Sequence, residues 1–139
     1  MLRTGTLSAL LALCVASIAV AQSDKRGVTY RSPGGSTLRL ILDTANVGSE
    51  ISLGEMTFPP NADSGDHAHG SIEIFYVLSG ELEHVVNGKS QILKPGMVGY
   101  VKPPDKIRHK TGPAGAKVVV MWVPGAEAGR IVSRWTKEP

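Results

Sequence analysis

Two histidines and a glutamate stand close together in the middle of the chain, as His67-Ala68-His69, three further residues and then Glu73. If residues 67–69 are extended, the two imidazoles point to the same side, because side chains two apart on a strand share a face. A turn then brings Glu73, at the start of the next strand, to the same point. The spacing predicts a site at which the three side chains meet one ion.

A further histidine, His109, lies 36 residues after Glu73. Three neutral imidazoles and one carboxylate suit Mn, Fe, Co, Ni, Cu or Zn, whereas Ca and Mg take mostly oxygen ligands. An octahedral ion with these ligands keeps open positions for water, substrate or dioxygen, as a metal catalyst requires. We therefore expect one divalent transition metal held by His67, His69, Glu73 and His109. The alternatives are a polar core network and a barrel that has lost its metal.

The spacing resembles the first motif of the cupin superfamily, a His-x-His pair followed by three or four residues, Glu, six residues and Gly. His67, His69, Glu73 and Gly80 match that motif without a gap. The resemblance implies metal-ligand roles for the two histidines and Glu73. It also implies that Glu73 serves as the catalytic base by partial release from the metal, as is proposed for some relatives.

The second cupin motif is matched in part. Pro104 lies five residues before His109, as the family's proline does, but Lys106 and Pro113 stand where the family has glycine and asparagine. The resemblance covers roughly residues 38–123. It implies an all-β fold, a single-domain jelly-roll barrel with the metal inside, and a fourth ligand at His109.

The elements that must position these residues read as short strands. Pro and Gly punctuate the chain at short intervals, and the runs between them are rich in Val, Ile, Leu, Thr and Tyr. The turn between two of them, Asn87-Gly88, is a strong hairpin signal because both residues tolerate positive φ. The predicted strands are 37–42, 50–58, 67–69, 71–79, 81–86, 90–93, 98–102, 107–110 and 117–123. Residues 127–135 fit a short helix or a last strand equally well.

The first 21 residues read as an export signal. A basic residue is followed by an apolar run over 7–20 and by the small-residue cleavage site Ala19-Val20-Ala21. We expect residues 1–21 to be a signal peptide, 22–139 to be one cupin domain, and the protein to be periplasmic or secreted. The alternative is an uncleaved anchor helix, but the apolar run is shorter than the ~20 residues of a spanning helix.

Composition limits the partners and the means of stabilisation. The chain has 139 residues, 15 Lys and Arg against 12 Asp and Glu, and one cysteine, Cys14, which lies in the export signal. No dense basic run is interleaved with aromatics, so nucleic acid is not an expected partner. Without cysteine, the mature chain must be held by packing, a metal or a partner subunit.

Residues 72–78 are apolar on both faces of the predicted strand. One face can line a barrel, and the other then needs a cover. We expect either a homodimer interface or a second sheet of the same subunit there.

Several other polar and aromatic residues receive simpler interpretations. We expect His84 to be a solvated strand residue, Asp66 to orient an imidazole, and Tyr100 to lie in the core or the cavity. Arg39 and Glu55 are further candidates for such orienting contacts. In the basic run around His109, alternation points Arg108 outward; this run is a solvated edge or a positive rim that attracts carboxylates.

These observations support three functional hypotheses. The first is a metal-dependent enzyme on a small oxygenated or anionic substrate, catalysing dioxygenase-like cleavage, decarboxylation or isomerisation. The second is a non-catalytic module that binds a small ligand or a metal. The third, a metal-free sugar epimerase, would need a catalytic His paired with Asp or Tyr.

Overall fold

The computed structural model describes residues 27–139, and the export signal predicted for 1–21 lies outside them. The chain folds into eight strands and two short helices. The elements are β1 (Val28–Arg31), β2 (Thr37–Leu42), α1 (Thr44–Val47), β3 (Ser52–Phe58), β4 (Ile72–Val86), β5 (Lys89–Leu93), β6 (Val98–Val101), β7 (Ile107–Val123), α2 (Ala126–Val132) and β8 (Thr136–Lys137). In the described part of the chain, no helix is long and apolar enough to cross a membrane.

All strand pairs are antiparallel, and the strand order is β5-β4-β7-β3-β2-β1-β8, with β6 beside β5 on the edge of β4 that faces away from β7. The first half of β4 pairs with β6 and with the second half of β7, whereas its second half pairs with β5 and the first half of β7. The two longest strands therefore belong to both layers of a jelly roll. This confirms the all-β jelly-roll fold.

Two glycines allow the long strands to bend between the layers. The pairing of β4 with β7 shifts register on either side of Gly80, and both Gly80 and Gly115 have positive φ. A Cβ at Gly80 would collide with the carbonyl oxygen of Gly115, so the backbones meet too closely for a side chain. The sequence reading placed breaks between 71–79 and 81–86 and between 107–110 and 117–123; that was wrong, because the chain bends there without ending a strand.

The apolar core lies between the layers and is built by strand alternation. Phe75, Val77 and Leu82 of β4 are at most 1% exposed, and Val118, Val120 and Trp122 of β7 are fully buried. The predicted Asn87-Gly88 hairpin is confirmed, since both residues have positive φ and join β4 to β5.

The other face of β4 is left uncovered by the described chain. Ile72, Tyr76 and Leu78 are 40–46% exposed, and their neighbours on β6, Val98 and Tyr100, are 57% and 65% exposed. A second sheet of the same subunit does not pack there among residues 27–139, so that alternative is wrong.

Of the two alternatives for residues 127–135, the structure has the helix, and a short strand follows the segment. Residues 126–132 form helix α2, and Thr136–Lys137 form β8, which pairs with β1. Gly125 at the start of α2 packs so closely on Ile51 that a Cβ would collide with its backbone. The helix is thereby held against the start of β3, with Ala128 fully buried.

Candidate metal centre

The four predicted ligands all line one cavity of about 580 Å³ inside the barrel. Glu73 is on β4, His109 is on β7, and His67 and His69 are on the connection between β3 and β4. The ring centroid of His67 lies 4.9 Å from that of His69 and 5.8 Å from that of His109. Topology thus brings together residues that are up to 42 positions apart in the sequence.

The His-x-His segment is not a regular strand as predicted. His67 makes an isolated bridge to Ile107, with backbone bonds of 2.9 and 2.8 Å, and the residues that follow are irregular. The bridge ties the segment to β7, so both imidazoles still reach the cavity. His67 Nδ1 lies 3.0 Å from the carbonyl oxygen of Gly65. Since a carbonyl can only accept, Nδ1 donates, and the lone pair of neutral His67 is left on Nε2.

His69 lies between two carboxylates. Its Nδ1 is 2.9 Å from Glu127 Oε1, and its Nε2 is 2.9 Å from Glu73 Oε2. All three side chains are at most 7% exposed. Burial opposes the charged imidazole, but the hydrogen bonds and charges of Glu73 and Glu127 outweigh burial and raise the pKa of His69.

Glu73 is held by the indole of Trp122, whose Nε1 donates to Oε1 at 2.8 Å. Its other oxygen, Oε2, and His69 Nε2 are both buried and face each other without an aligned hydrogen bond. Such a pair requires a proton, carried by the imidazole or the carboxyl group, or a bound metal ion between its two atoms. The indole N–H of Trp122 is a contact that the sequence did not indicate.

His109 is 3% exposed, and its ring stacks on that of His84. His84 Nε2 is 3.2 Å from the carbonyl oxygen of Tyr100 and must donate to it, so the lone pair of neutral His84 is on Nδ1. That atom is 3.3 Å from His109 Nε2 and accepts its proton. The free lone pair of His109 is then on Nδ1.

Burial and the neighbouring imidazoles decide the charge of these two histidines. Burial, followed by the charges of His84, His67 and His69, lowers the pKa of His109 well below its usual value. Burial also lowers the pKa of His84, which the Tyr100 carbonyl only partly offsets. Both rings are therefore neutral near pH 7, which is the form that can bind a metal.

The donor set fits a divalent transition metal by its chemistry. Each predicted histidine ligand gives one ring nitrogen to a protein partner and keeps the other, as metal-binding histidines do. Glu73 adds a buried oxygen without an aligned partner. Within residues 27–139, however, no group of three or more His, Cys, Asp or Glu side chains is arranged to hold an ion at once. His109 Nε2 in particular is directed at His84.

Several expectations about other residues are wrong. His84 is 4% exposed, not solvated. The Asp66 side chain is 71% exposed and lies 4.0 Å from Arg108. The hydroxyl-bearing ring of Tyr100 lies on the outer face, at 65% exposure. Arg39 pairs with Glu55 at 3.0 Å, and neither residue lines the cavity.

Alternation does place Arg108 outward, as predicted. Its Nε donates to Asp63 Oδ1 at 2.7 Å, so this part of the basic run is paired at the surface. The hydrogen bonds from Arg108 hold the pKa of Asp63 far below its usual range.

The sequence did not predict two residues that contact the candidate ligands, Glu127 beside His69 and His84 beside His109. His84 shares a face with Leu82, which is fully buried, and that alternation was the signal that could have identified it. Glu127 carried no such signal, because the type of its element was undecided. Its charge is balanced by Arg130, and the hydrogen bonds from Arg130 together with His69 lower the pKa of Glu127 to about 2.

The cavity has an apolar wall and a basic, hydroxyl-bearing mouth. Arg130 and Arg134 of the C-terminal segment lie on its lining. The remaining lining includes Ser32, Ser36, Met56, Phe58, Ser64, Phe75 and Trp135.

Residues 54–124, just over half of the chain, match the family model of the cupin domain. The chain belongs to the cupin superfamily. This confirms the resemblance that the His-x-His motif indicated. No curated protein matches the chain significantly.

Solved cupin structures share the fold. An RmlC-like cupin from Shewanella frigidimarina superposes with a TM-score of 0.65 at 20% identity, covering 80% of this chain and 96% of its own. The polyketide cyclase RemF from Streptomyces resistomycificus gives 0.63 at 22% identity, covering 76% and 80%. A predicted oxalate decarboxylase from Thermotoga maritima gives 0.62 at 22% identity, covering 76% and 99%. At these identities the likeness establishes the fold of this cupin and not its reaction.

Proposed function

We propose that this cupin is a metal-dependent enzyme that acts on a small oxygenated or anionic substrate. The observation that carries the proposal is the meeting of His67, His69, Glu73 and His109 on the wall of one buried cavity. A divalent transition metal held there would supply Lewis acidity toward a substrate carbonyl or carboxylate and, if redox-active, electrons for dioxygen.

The cavity favours a small substrate that carries negative charge or polar oxygens. Its volume of about 580 Å³ lies within the range of small-molecule sites, about 300–1,000 Å³. Phe58 and Phe75 exclude water from its apolar wall, whereas Arg134 adds positive charge to the lining, since the charge of Arg130 is balanced by Glu127. An anion would therefore be drawn in and oriented with its charged end near a basic residue.

Glu73 is the residue we assign to proton transfer. Trp122 fixes one oxygen of its carboxylate, so the other oxygen faces His69 at the cavity wall. This arrangement holds a base in one orientation, and its buried oxygen would have to leave the contact with His69 to take a substrate proton. Oxidative cleavage, decarboxylation and isomerisation all need such a base or an equivalent group.

A binding module without turnover is the second candidate. The other acid on the cavity lining, Asp63, is taken by Arg108, and its depressed pKa makes it a poor base. Glu73 is then the one carboxylate on the described lining that is not paired with an arginine. A module needs no second group.

The two candidates differ in turnover. We would load the purified protein with Fe²⁺, Mn²⁺ or Ni²⁺ and measure dioxygen uptake and product formation with diketones, flavonols and dicarboxylates. The enzyme proposal expects turnover in the wild type and at least about 100-fold less in Glu73→Gln. Bound metal and tight ligand binding without turnover would favour the module, and full activity after chelation would favour the metal-free epimerase.

We also propose that the uncovered face of β4 and β6 binds a second copy of this chain. The exposed side chains of Ile72, Tyr76, Leu78, Val98 and Tyr100 form one apolar patch across paired strands. A two-fold dimer packs the same patch of both subunits against itself, and an apolar sheet face can do this because apolar side chains need no opposite partner. Analytical ultracentrifugation should detect a dimer that Tyr76→Lys dissociates and Ile92→Lys, on β5, does not. A monomeric wild type would exclude it.

Export remains part of the proposal, with cleavage after Ala21 and a periplasmic or secreted product. The support is the basic, apolar and small-residue pattern of residues 1–21. N-terminal sequencing of protein from a periplasmic extract should begin at Gln22. Full-length protein confined to the cytoplasm would contradict export.

A further inference from the structure

The described molecule holds a buried glutamate that the cupin motif does not include. Glu127 is 7% exposed, although it is on the short helix α2, beyond the residues that match the family model. Its Oε1 lies 2.9 Å from His69 Nδ1. Arg130, one turn later, donates to both of its oxygens, with a distance of 3.0 Å from Nε to Oε2.

The local backbone is shaped for this approach. Gly125, pressed on Ile51, fixes the start of the helix. Gly70 follows His69 directly, and a Cβ there would lie 3.4 Å from Glu127 Oε2. A Cβ at position 70 would be in van der Waals contact with the carboxylate, so Glu127 packs directly against the backbone that follows His69.

From this geometry, we infer that Glu127 is a positioning residue that sets the tautomer and orientation of His69. Both carboxylates only accept, but the Nδ1 contact with Glu127 is an aligned hydrogen bond and the Nε2 contact with Glu73 is not. The neutral imidazole therefore keeps its proton on Nδ1 and presents the lone pair of Nε2 toward Glu73. Arg130 orients Glu127 in turn and compensates its charge. The role rests on the proposed metal site, because Nε2 is the atom that would bind the ion.

A carboxylate behind a metal-binding histidine raises the basicity of the imidazole and reduces its rotational freedom. Removing such a partner typically lowers metal affinity about 10–100-fold. Glutamine at the same position retains a carbonyl oxygen that can accept from Nδ1 but lacks the charge. It should therefore preserve the tautomer and restore part of the affinity.

The test compares Glu127→Ala, Glu127→Gln and the wild type. A matched control is Glu138→Gln, which changes another C-terminal glutamate that is paired with an arginine. Glu138 accepts a hydrogen bond of 2.6 Å from Arg31 Nε, and neither residue lines the cavity. The first readout is the ¹⁵N NMR tautomer signature of His69 in metal-free protein, at a pH where the ring is neutral. The second is Co²⁺ affinity by competition with a chelator.

We expect Nδ1–H in the wild type, Glu127→Gln and the control, and a mixture of tautomers in Glu127→Ala. Co²⁺ affinity should fall about 10–100-fold in Glu127→Ala and less than about 10-fold in Glu127→Gln. A wild-type tautomer and wild-type affinity in both variants would overturn the inference. If the wild type binds no Co²⁺, the metal proposal fails, and the NMR signature alone decides the role of Glu127. Glutamine is nearly isosteric, so it keeps the test open if the alanine variant does not fold.

Discussion

His69 and His109 are held by different means on the wall of the same cavity. His69 is fixed by the carboxylate of Glu127 from a short helix, and an arginine balances that charge. His109 is fixed by the neutral ring of His84, on the neighbouring long strand. Glu127 contacts Nδ1 of His69, the ring nitrogen that faces away from Glu73, whereas His84 contacts Nε2 of His109.

The difference separates a charged contact at the edge of the cavity from a neutral contact inside the core. A carboxylate makes its imidazole more basic, and its stabilisation depends on pH and solvent. A buried neutral pair is insensitive to both over the physiological range, but it cannot be removed without leaving a polar group unsatisfied. We therefore expect the His109 side to dominate folding stability and the His69 side to adjust the metal site.

The largest effect should come from the core beside His109. The ring of Phe75 lies 4.6 Å from that of His109 and 6.0 Å from that of His84, and it is 1% exposed. Phe75→Ala should lower the free energy of unfolding by about 3–5 kcal/mol, measured by urea denaturation with a chelator present. The control Ile92→Ala, at an exposed position, should cost less than about 1 kcal/mol. Equal losses would contradict a rigid His109 side.

Removing the partner of His109 should have the next effect. His84→Leu puts an apolar side chain of similar size in place of the imidazole and leaves the His109 Nε2–H without its acceptor. We expect a loss of about 1–3 kcal/mol in the metal-free protein, by the same denaturation measurement. Unchanged stability would mean that the 3.3 Å contact contributes nothing.

The contact between Glu127 and its partners His69 and Arg130 should make the free energy of unfolding depend on pH in the acid range. Because the pKa of Glu127 is lowered from 4.5 to about 2, its stabilisation is complete above pH about 4.5 and is lost as pH falls through about 2. Solvent screens the half-exposed Arg130, so we expect the loss to be on the order of 2 kcal/mol. The free energy of unfolding of the wild type minus that of Glu127→Gln, measured as a function of pH in acid denaturation, isolates this contribution. A difference that does not change with pH would exclude this contribution.

Opposite behaviour is expected of His69 itself, whose pKa is raised. Its added stability is present below the usual histidine pKa of about 6.5 and is lost as pH rises through the higher folded value.

The smallest effect is expected at the surface. Arg108 and Asp63 form a hydrogen-bonded pair with side chains 38% and 40% exposed. Arg108→Gln should change stability by less than about 1 kcal/mol, and added salt should reduce the difference further. A loss as large as that of His84→Leu would contradict the distinction between exposed charged and buried neutral contacts.

The sequence predicts the residues that lie on the strands and in the motif, but not the contacts that depend on how distant elements pack. The fold and the gathering of His67, His69, Glu73 and His109 were predictable, because alternation and turn residues are local and the motif matches a known family. The uninterrupted course of β4 was not, since Gly80 bends a strand as readily as it ends one. Glu127 could not be found, because its contact with His69 depends on how a short helix packs 58 residues away.

The most direct test of the account is X-ray absorption at the Co K-edge of protein loaded with Co²⁺, which counts imidazole ligands. The account predicts three imidazoles in the wild type and two in His109→Ala, with His109 bound through Nδ1 while its Nε2 stays with His84. Two imidazoles in both proteins would show that His109 is not a ligand. A spectrum without imidazole in the wild type would contradict the metal centre itself.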